Sequence, residues 1–516
     1  MLEDFKKEAN YRGEFGKVSY YSTGKECLDL FFIAGATKNV NAIYIVNAVI
    51  RAFMEDPLKT MKIVFFARDE KEGLGERRFF RIAINTLAKN FPETFRKNLP
   101  LIAEYGDFDD LCVLLDTPLR KDAEALIISQ LRKDIEAMNN GQPASMLAKW
   151  IPDLSMVKDD SSQDTKDIIK RIAALLGMSE CEYQKTISAL YEYTDIPENR
   201  LRKLDDTFSY EAHPSQAKEF TKIDQDRYRE FLDKITYGTD RLHADRLYPC
   251  DIVHEILSTD KAVSNQEYDN NYLFAANEDN ICEDSYSFTI NDDISKEKRL
   301  YLDAAWKSLP DLTASKHENI LAVVDVSCSM TWVFSEIEPI DVALSLGIYF
   351  AEHNKGEFAG HFITASEPPK LVEIKGRDIT EKVRYCNLCF DISIVNELGN
   401  VFSLLLDTAI RNNIPQEDMP SKICIISGMQ FDGMDELPLF LDMKKRFNDN
   451  GYELPDVIFW NVYTSEDTIP VTYSETGAAL VSGFTPNVFD MIVGGECTPE
   501  SVMDKILSSE RYDPVS

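Results

Sequence analysis

Ile320-Leu321-Ala322-Val323-Val324-Asp325-Val326-Ser327-Cys328-Ser329 decides how the second half of this 516-residue chain is read. Five apolar residues in a row, three of them β-branched, predict a strand buried on both faces. The run ends on a carboxylate, and hydroxyls follow at alternate positions. Asp325, Ser327 and Ser329 thus bring hard oxygen donors to the carboxyl end of a strand, a donor set suited to a small hard cation such as Mg²⁺. With one charged ligand, such an ion would keep excess positive charge and capture an acidic group from a partner. The plainer alternative is a strand-to-helix turn in which serine hydroxyls cap backbone N–H groups.

Around this run the apolar spacing repeats one theme. Short apolar runs at 320–324, 423–426 and 457–462 alternate with helical patterns. One helical face carries Ile340, Ala343, Leu344, Gly347 and Ile348, with Pro339 near its start. Val401, Leu404, Leu405 and Ala409 form a second, and Phe440, Met443 and Phe447 a third. Buried runs between amphipathic helices predict an α/β, Rossmann-like parallel sheet covered on both sides. Ligands of such sheets bind beyond the carboxyl ends of the strands, where Asp325 falls.

The first half reads differently. From about residue 27 to 258 the apolar period is helical. Helices are predicted around Ile43–Phe53, Phe79–Leu87 and Leu119–Met138, and over 163–177, 178–194 and 216–236. Successive amphipathic helices without strands suggest an all-α, HEAT-like stacked array, although no clean repeat period is present. Residues 259–300 are dominated by Asn, Asp, Glu and Ser and predict a solvated stretch. The resulting division is a helical-repeat region over 1–258, an acidic polar connector over 259–315 and an α/β domain over 316–516.

Composition narrows the function classes. Hydrophobic residues make up 44% and charged residues 28%, as in folded soluble proteins. No apolar run is long enough to cross a bilayer, and the first residues lack the apolar core of a signal peptide. Ten scattered cysteines read as reduced thiols, so a cytoplasmic protein is expected. Cys386 and Cys389 form a lone C-x-x-C pair, read as two small semi-buried thiols and not as a zinc site. The net charge of −32 is uneven: residues 1–150 are neutral, 151–300 carry −13 and 301–516 carry −19. Most of the surface therefore repels a polyanion, and a nucleic acid would need a local basic patch. The best candidate is Arg77, Arg78 and Arg81, with Lys89, Arg96 and Lys97, after the turn Gly73-Leu74-Gly75. Its alternative is a helix with a basic outer face. Phe79 and Phe80 are expected in the core. Enzyme signatures are absent: Thr23-Gly24-Lys25-Glu26 is no P-loop, there is no G-x-S-x-G elbow, and none of the six histidines sits in a motif. A non-enzymatic protein is expected.

Val324-Asp325-Val326-Ser327-Cys328-Ser329-Met330 resembles the metal-ion-dependent adhesion motif (MIDAS) of von Willebrand factor A domains, and Ile425–Asp432 and Ala479–Phe484 fit the same domain. Upstream, Leu28–Phe32, Phe66–Asp69, Gly75-Glu76-Arg77 and Leu247–Val253 are similar to an uncharacterised TROVE-like family that joins a helical-repeat region to a C-terminal A domain. Its architectural relative is the Ro autoantigen, a helical ring that binds structured and misfolded RNA. The resemblance implies a binding scaffold for RNA, or a metal-dependent adaptor that takes an acidic group of a protein partner. It also places Asn396 where the A domain offers a ligating Thr, Gly428 where it offers an Asp, and Cys328 where it has Gly. Asp432 lies four residues past Gly428. The implied Mg²⁺ ligands are Asp325, Ser327, Ser329 and Asn396.

Overall fold

The computed structural model describes residues 11–12, 19–38, 40–151, 163–194, 248–264, 294–311, 319–331, 337–390, 398–429, 439–464, 469–485 and 498–516. The predicted helix over 216–236 and most of the acidic connector lie outside these residues.

The N-terminal region is helical, as its periodicity predicts. It comprises α1 (Glu26–Ala34), α2 (Ala42–Glu55), α3 (Pro57–Arg68), α4 (Arg77–Asn90), α5 (Arg120–Asn139), α6 (Gln163–Leu176) and α7 (Glu180–Tyr193), with short helical turns between α4 and α5. Local chemistry sets the boundaries. Asp56 accepts the Lys59 N–H and Pro57 opens α3, as an N-cap and a first-turn proline should. Gly177, at φ +74°, ends α6, and a Ser179/Glu182 capping box starts α7. Each helix packs on sequence neighbours. The helices differ too much in length for a fixed repeat to emerge among the described residues.

The C-terminal unit is one six-stranded sheet: β1 (Ile320–Val324), β2 (His361–Thr364), β3 (Leu371–Glu373), β4 (Lys422–Ser427), β5 (Asp456–Asn461) and β6 (Ala478–Ser482). Strand order is β3-β2-β1-β4-β5-β6. Every pairing is parallel except β2 with the short edge strand β3. The sheet is therefore mixed, where the apolar runs predict parallel strands alone. Alternate residues divide its faces. Leu321, Val323, Ile425, Val457, Phe459 and Leu480 pack under α12 (Leu398–Asn412) and α13 (Leu439–Asp449). Ala322, Val324, Ile426, Ile458 and Trp460 face α10 (Pro339–His353). Gly347 in α10 lies directly on β1, since a Cβ there would come within 2.5 Å of Val324.

Two helices from before the sheet join its outer layer. α8 (Pro249–Ser264) packs on α10, with His254 Nδ1 2.8 Å from Asp341 Oδ2. α9 (Lys296–Lys307) lies inside the stretch expected to be a solvated connector. It packs on α11 (Ile379–Leu388), and Arg299 bonds Asp378 at 2.6 Å.

Helical region and sheet share one apolar core. Nearly every residue of α1 is buried because α1 lies between α2, α3 and β6. Gly35 N–H donates to Ser482 Oγ at 2.9 Å, and Thr464 N–H to the Ala36 carbonyl at 2.9 Å. On the far side, α14 (Pro499–Leu507) and the segment after it reach into the helices. Arg511 bonds the buried Asp69 at 2.9 Å, Tyr512 Oη bonds Asp69 at 3.2 Å, and Tyr105 Oη donates to the Arg511 carbonyl. No helix among the described residues is long and apolar enough to cross a membrane.

Candidate functional site

β1 ends at Val324, and its pairing with Ile426 of β4 sets Asp325 beside Ser427. Asp325 is 2% exposed and Ser327 3%. The Ser327 N–H donates to Asp325 Oδ1 at 2.9 Å, and Ser427 Oγ donates to Asp325 Oδ2 at 2.6 Å. Ser427 Oγ in turn accepts the Met429 N–H at 2.9 Å. Burial raises the Asp325 carboxyl above its ordinary range, and hydrogen bonds from Ser427, Ser327 and Gly428 pull it back down. Above this carboxylate, Ser327 Oγ and Ser329 Oγ lie 2.9 Å apart, and Ser329 is half-buried at the rim. The chain then turns through Cys328–Met330.

The sequence thus brings Asp325, Ser327 and Ser329 together. Asn396 and Asp432 lie outside the described residues. Ser427 was missed as a member of the site. The signal for it was register: with β1 and β4 adjacent and parallel, the residue closing β4 must flank Asp325. Gly428 contributes backbone only. A Cβ there would stand 3.3 Å from the Tyr463 carbonyl, so a side chain at 428 has little room. Met429 follows at φ +60°, a conformation that costs a non-glycine residue about 1 kcal/mol. No group of three His, Cys, Asp or Glu side chains with the geometry to hold a metal ion is found among the described residues. The donors suit a hard cation in kind: the half-buried Ser329 hydroxyl at the rim, with the buried Ser327 hydroxyl and Asp325 carboxylate behind it. The protein already satisfies that carboxylate, so it would act chiefly through charge and by orienting the loop.

The basic segment is built otherwise than its sequence suggests. Arg77 bonds Asp107 and Asp109, each at 2.9 Å, and Arg81 bonds Asp110 at 2.6 Å and Asp109. Two of these carboxylates also hold the buried Arg68, Asp107 at 3.2 Å and Asp110 at 2.8 Å. Arg78 donates to the Thr37 and Val40 carbonyls at 2.6 Å. Arg96 pairs with Glu93 and with Asp122 at 3.3 Å. Lys89 and Lys97 are exposed. The three arginines of α4 are therefore spent on Asp107-Phe108-Asp109-Asp110 and on backbone carbonyls. That acidic cluster, some thirty residues downstream, was the unread signal. Phe79 and Phe80 are fully buried, as expected. Glu76 precedes α4 without capping it by its side chain. Burial pushes its carboxyl up to about 7, against the pull of Lys38, Arg78 and Arg68.

Cys386 is buried and Cys389 half-buried, both free thiols. Burial raises the Cys386 thiol well above its ordinary range, which makes it a poor nucleophile.

Two family models match the chain, each described as a domain of unknown function: DUF2828 over residues 14–126 and DUF7788 over residues 319–512. A curated relative, "Uncharacterized protein L728" of Acanthamoeba polyphaga mimivirus, is 24% identical over 548 residues, covering 97% of this chain and 88% of its own. Among solved structures, the Ro (RSR) protein of Deinococcus radiodurans aligns over 95% of this chain and 100% of its own, at 11% identity and a TM-score of 0.37. The first family match falls on the helical region, and the second begins one residue before β1 and spans the sheet.

Proposed function

We propose that this chain is a non-enzymatic, Ro-like binding scaffold that captures an acidic group of a protein partner at the carboxyl edge of its sheet. The observation that carries the reading is the convergence of Ser327 Oγ and Ser329 Oγ, 2.9 Å apart, over the buried Asp325. Ser327 and Ser329 would hold Mg²⁺, with Asp325 supplying charge behind them and Asn396 a further donor. The bound ion would offer an open position to a partner's carboxylate. Ser427 fixes the Asp325 carboxylate, so the hydroxyl-bearing loop is held in place before any ion arrives. The net charge of −19 over residues 301–516 would repel an acidic partner, so the ion is needed for its capture.

The test uses the metal alone. Mn²⁺ binding to the full chain, read by electron paramagnetic resonance and competed with Mg²⁺, is expected to weaken at least tenfold in Ser329→Ala. No saturable binding to the wild type, or equal binding by the variant, sinks the metal part of the reading.

The second reading, RNA on the basic segment, draws its support from exposed Lys89, Arg96 and Lys97. Filter binding with a structured RNA at two salt concentrations tests it. Salt-sensitive binding lost on changing Lys89 and Lys97 to Glu supports it. Binding that ignores both changes removes it.

A further inference from the structure

We propose that a crevice where α1 and α2 meet the segment after β5 binds a small organic cation, an alkylammonium or guanidinium group. The crevice has a volume of about 230 Å³, and its lining includes Tyr21, Glu26, Asp29, Tyr44, Arg51 and Ile469. It belongs neither to the serine-bearing loop nor to the basic segment.

Charge selects the ligand. Three charged side chains line the cavity, two acidic and one basic, and one pair cancels: Arg51 Nε lies 2.8 Å from Glu26 Oε2. Asp29, one turn along α1 from Glu26, is the surplus negative charge. Its Oδ1 accepts the Thr23 N–H at 2.7 Å, the Ser22 and Thr23 side chains also hydrogen-bond it, and Arg51, already paired with Glu26, attracts it without forming an ion pair among the described residues. Burial pushes the Asp29 carboxyl up to about 6 against the hydrogen bonds from Ser22 and Thr23 that lower it, and Glu26 adds repulsion. A secluded carboxylate whose one nearby cation is already paired elsewhere is costly, and a second cation entering the crevice relieves that cost. An anion would meet Asp29 head on, and a neutral ligand would leave it uncompensated. Tyr21 and Tyr44 also line the crevice, a residue type that suits ammonium and guanidinium groups.

Size sets the upper limit. Pockets for drug-sized ligands run to roughly 300–1,000 Å³, so this crevice takes a small amine or a single basic side chain. Its walls come from both parts of the molecule. Tyr20 and Ile469 exchange backbone hydrogen bonds of 2.8 and 3.0 Å beside it. A ligand seated there would bridge helical region and sheet, and would raise the stability of their joint by mass action.

The experiment titrates the full chain by calorimetry with agmatine and cadaverine, with Gly-Lys-Gly and Gly-Arg-Gly peptides, and with acetate as the anionic control. Saturable binding of an amine or a basic peptide, and none of acetate, is expected. A preference for the free amines or for the peptides identifies the source of the cation, and either supports the assignment. Asp29→Asn keeps the acceptor for Thr23 N–H and should weaken binding at least tenfold. Arg51→Gln removes the competing cation and should tighten it several-fold. Ser329→Ala should leave it unchanged, which separates this site from the metal reading. No saturable binding by the wild type, or equal binding by Asp29→Asn, overturns the proposal.

Discussion

Replacing Glu76 by Gln should stabilise the protein, and the gain should appear only as pH rises. Glu76 sits before α4, 7% exposed, with its N–H bonded to the Ala67 carbonyl at 2.6 Å. Its carboxyl titrates at about 7 in the folded protein against an ordinary 4.5, because burial penalises the charge more than Lys38, Arg78 and Arg68 reward it. The folded state therefore binds the proton more tightly than the unfolded chain does. Below pH 4.5 both states are protonated and the side chain costs nothing. Between 4.5 and 7 the unfolded chain ionises first, and stability falls with rising pH until both states are ionised. At about 1.4 kcal/mol per tenfold, the full cost above pH 7 is about 3 kcal/mol. Gln mimics the protonated acid at every pH. Urea unfolding of both proteins from pH 4.5 to 8 should give a difference near zero at the acid end and about 3 kcal/mol at the alkaline end. The other carboxyls raised by burial, Asp29, Asp107, Asp251 and Asp325, tilt both curves alike and cancel in the difference. Parallel curves would refute the reasoning, since they would mean that Glu76 folds with an ordinary affinity for its proton. Lys38 lies 3.8 Å over the Phe484 ring and Arg78 holds the 37–40 backbone, so the charge of Glu76 acts on the joint between the two parts of the molecule.

Arg511→Ala strips the buried Asp69 of its cation and should cost about 3 kcal/mol. Adding Asp69→Asn should recover part of that loss, as scanning calorimetry of the double mutant would show. Gly347→Ala drives a Cβ to within 2.5 Å of Val324 Cγ2 and should destabilise by about 1–3 kcal/mol. Val324→Ala in the same chain should lessen the penalty, and additive effects would deny the contact. Ser427→Ala leaves one oxygen of the buried Asp325 without its 2.6 Å donor, a loss of about 1–3 kcal/mol in urea unfolding. It should also weaken Mn²⁺ binding if the carboxylate works by orienting the loop.

What the sequence disclosed follows from how local each cause was. β1, β4 and β5 lie where runs of buried apolar residues put them, and α5 begins and ends one residue from its expected bounds. β2 and β3 went unread. His361-Phe362-Ile363-Thr364 has two apolar residues, and edge strand β3 buries only its central Val372. Neither gives a period to detect. α9 was hidden by the polar stretch before it, although Leu302, Ala305 and Trp306 do form an apolar face that packs into the core. The site divides in the same way. Asp325, Ser327 and Ser329 are neighbours in the chain and were legible together. Ser427 is 102 positions from Asp325 and enters only through strand register. The arginines of α4 looked basic because their partners, Asp107, Asp109 and Asp110, lie a fold away.

The joint itself was the least legible feature, and it constrains the function most. The division into a helical region and an α/β unit implies two cores, yet one apolar core runs through both. α1 is the reason. Its sequence Glu-Cys-Leu-Asp-Leu-Phe-Phe-Ile-Ala leaves no polar stripe wide enough for solvent, so a second surface must cover it, and β6 does. That contact sets Gly35 against Gly483 so closely that a Cβ on Gly35 would lie 2.5 Å from the opposite Cα. The closing residues of β5 and β6 are consequently spent on the helical region: Asn461 bonds the Phe32 carbonyl at 3.3 Å, and Ser482 accepts the Gly35 N–H. At the same edge, the ends of β1 and β4 are joined to each other through Asp325 and Ser427. Two strand ends thus anchor the helices while the other two build the serine-bearing loop. A ligand taken at that loop would meet a rigid frame in which the helical region already stands at a fixed position, which is what a scaffold requires and what two loosely tethered domains would not provide.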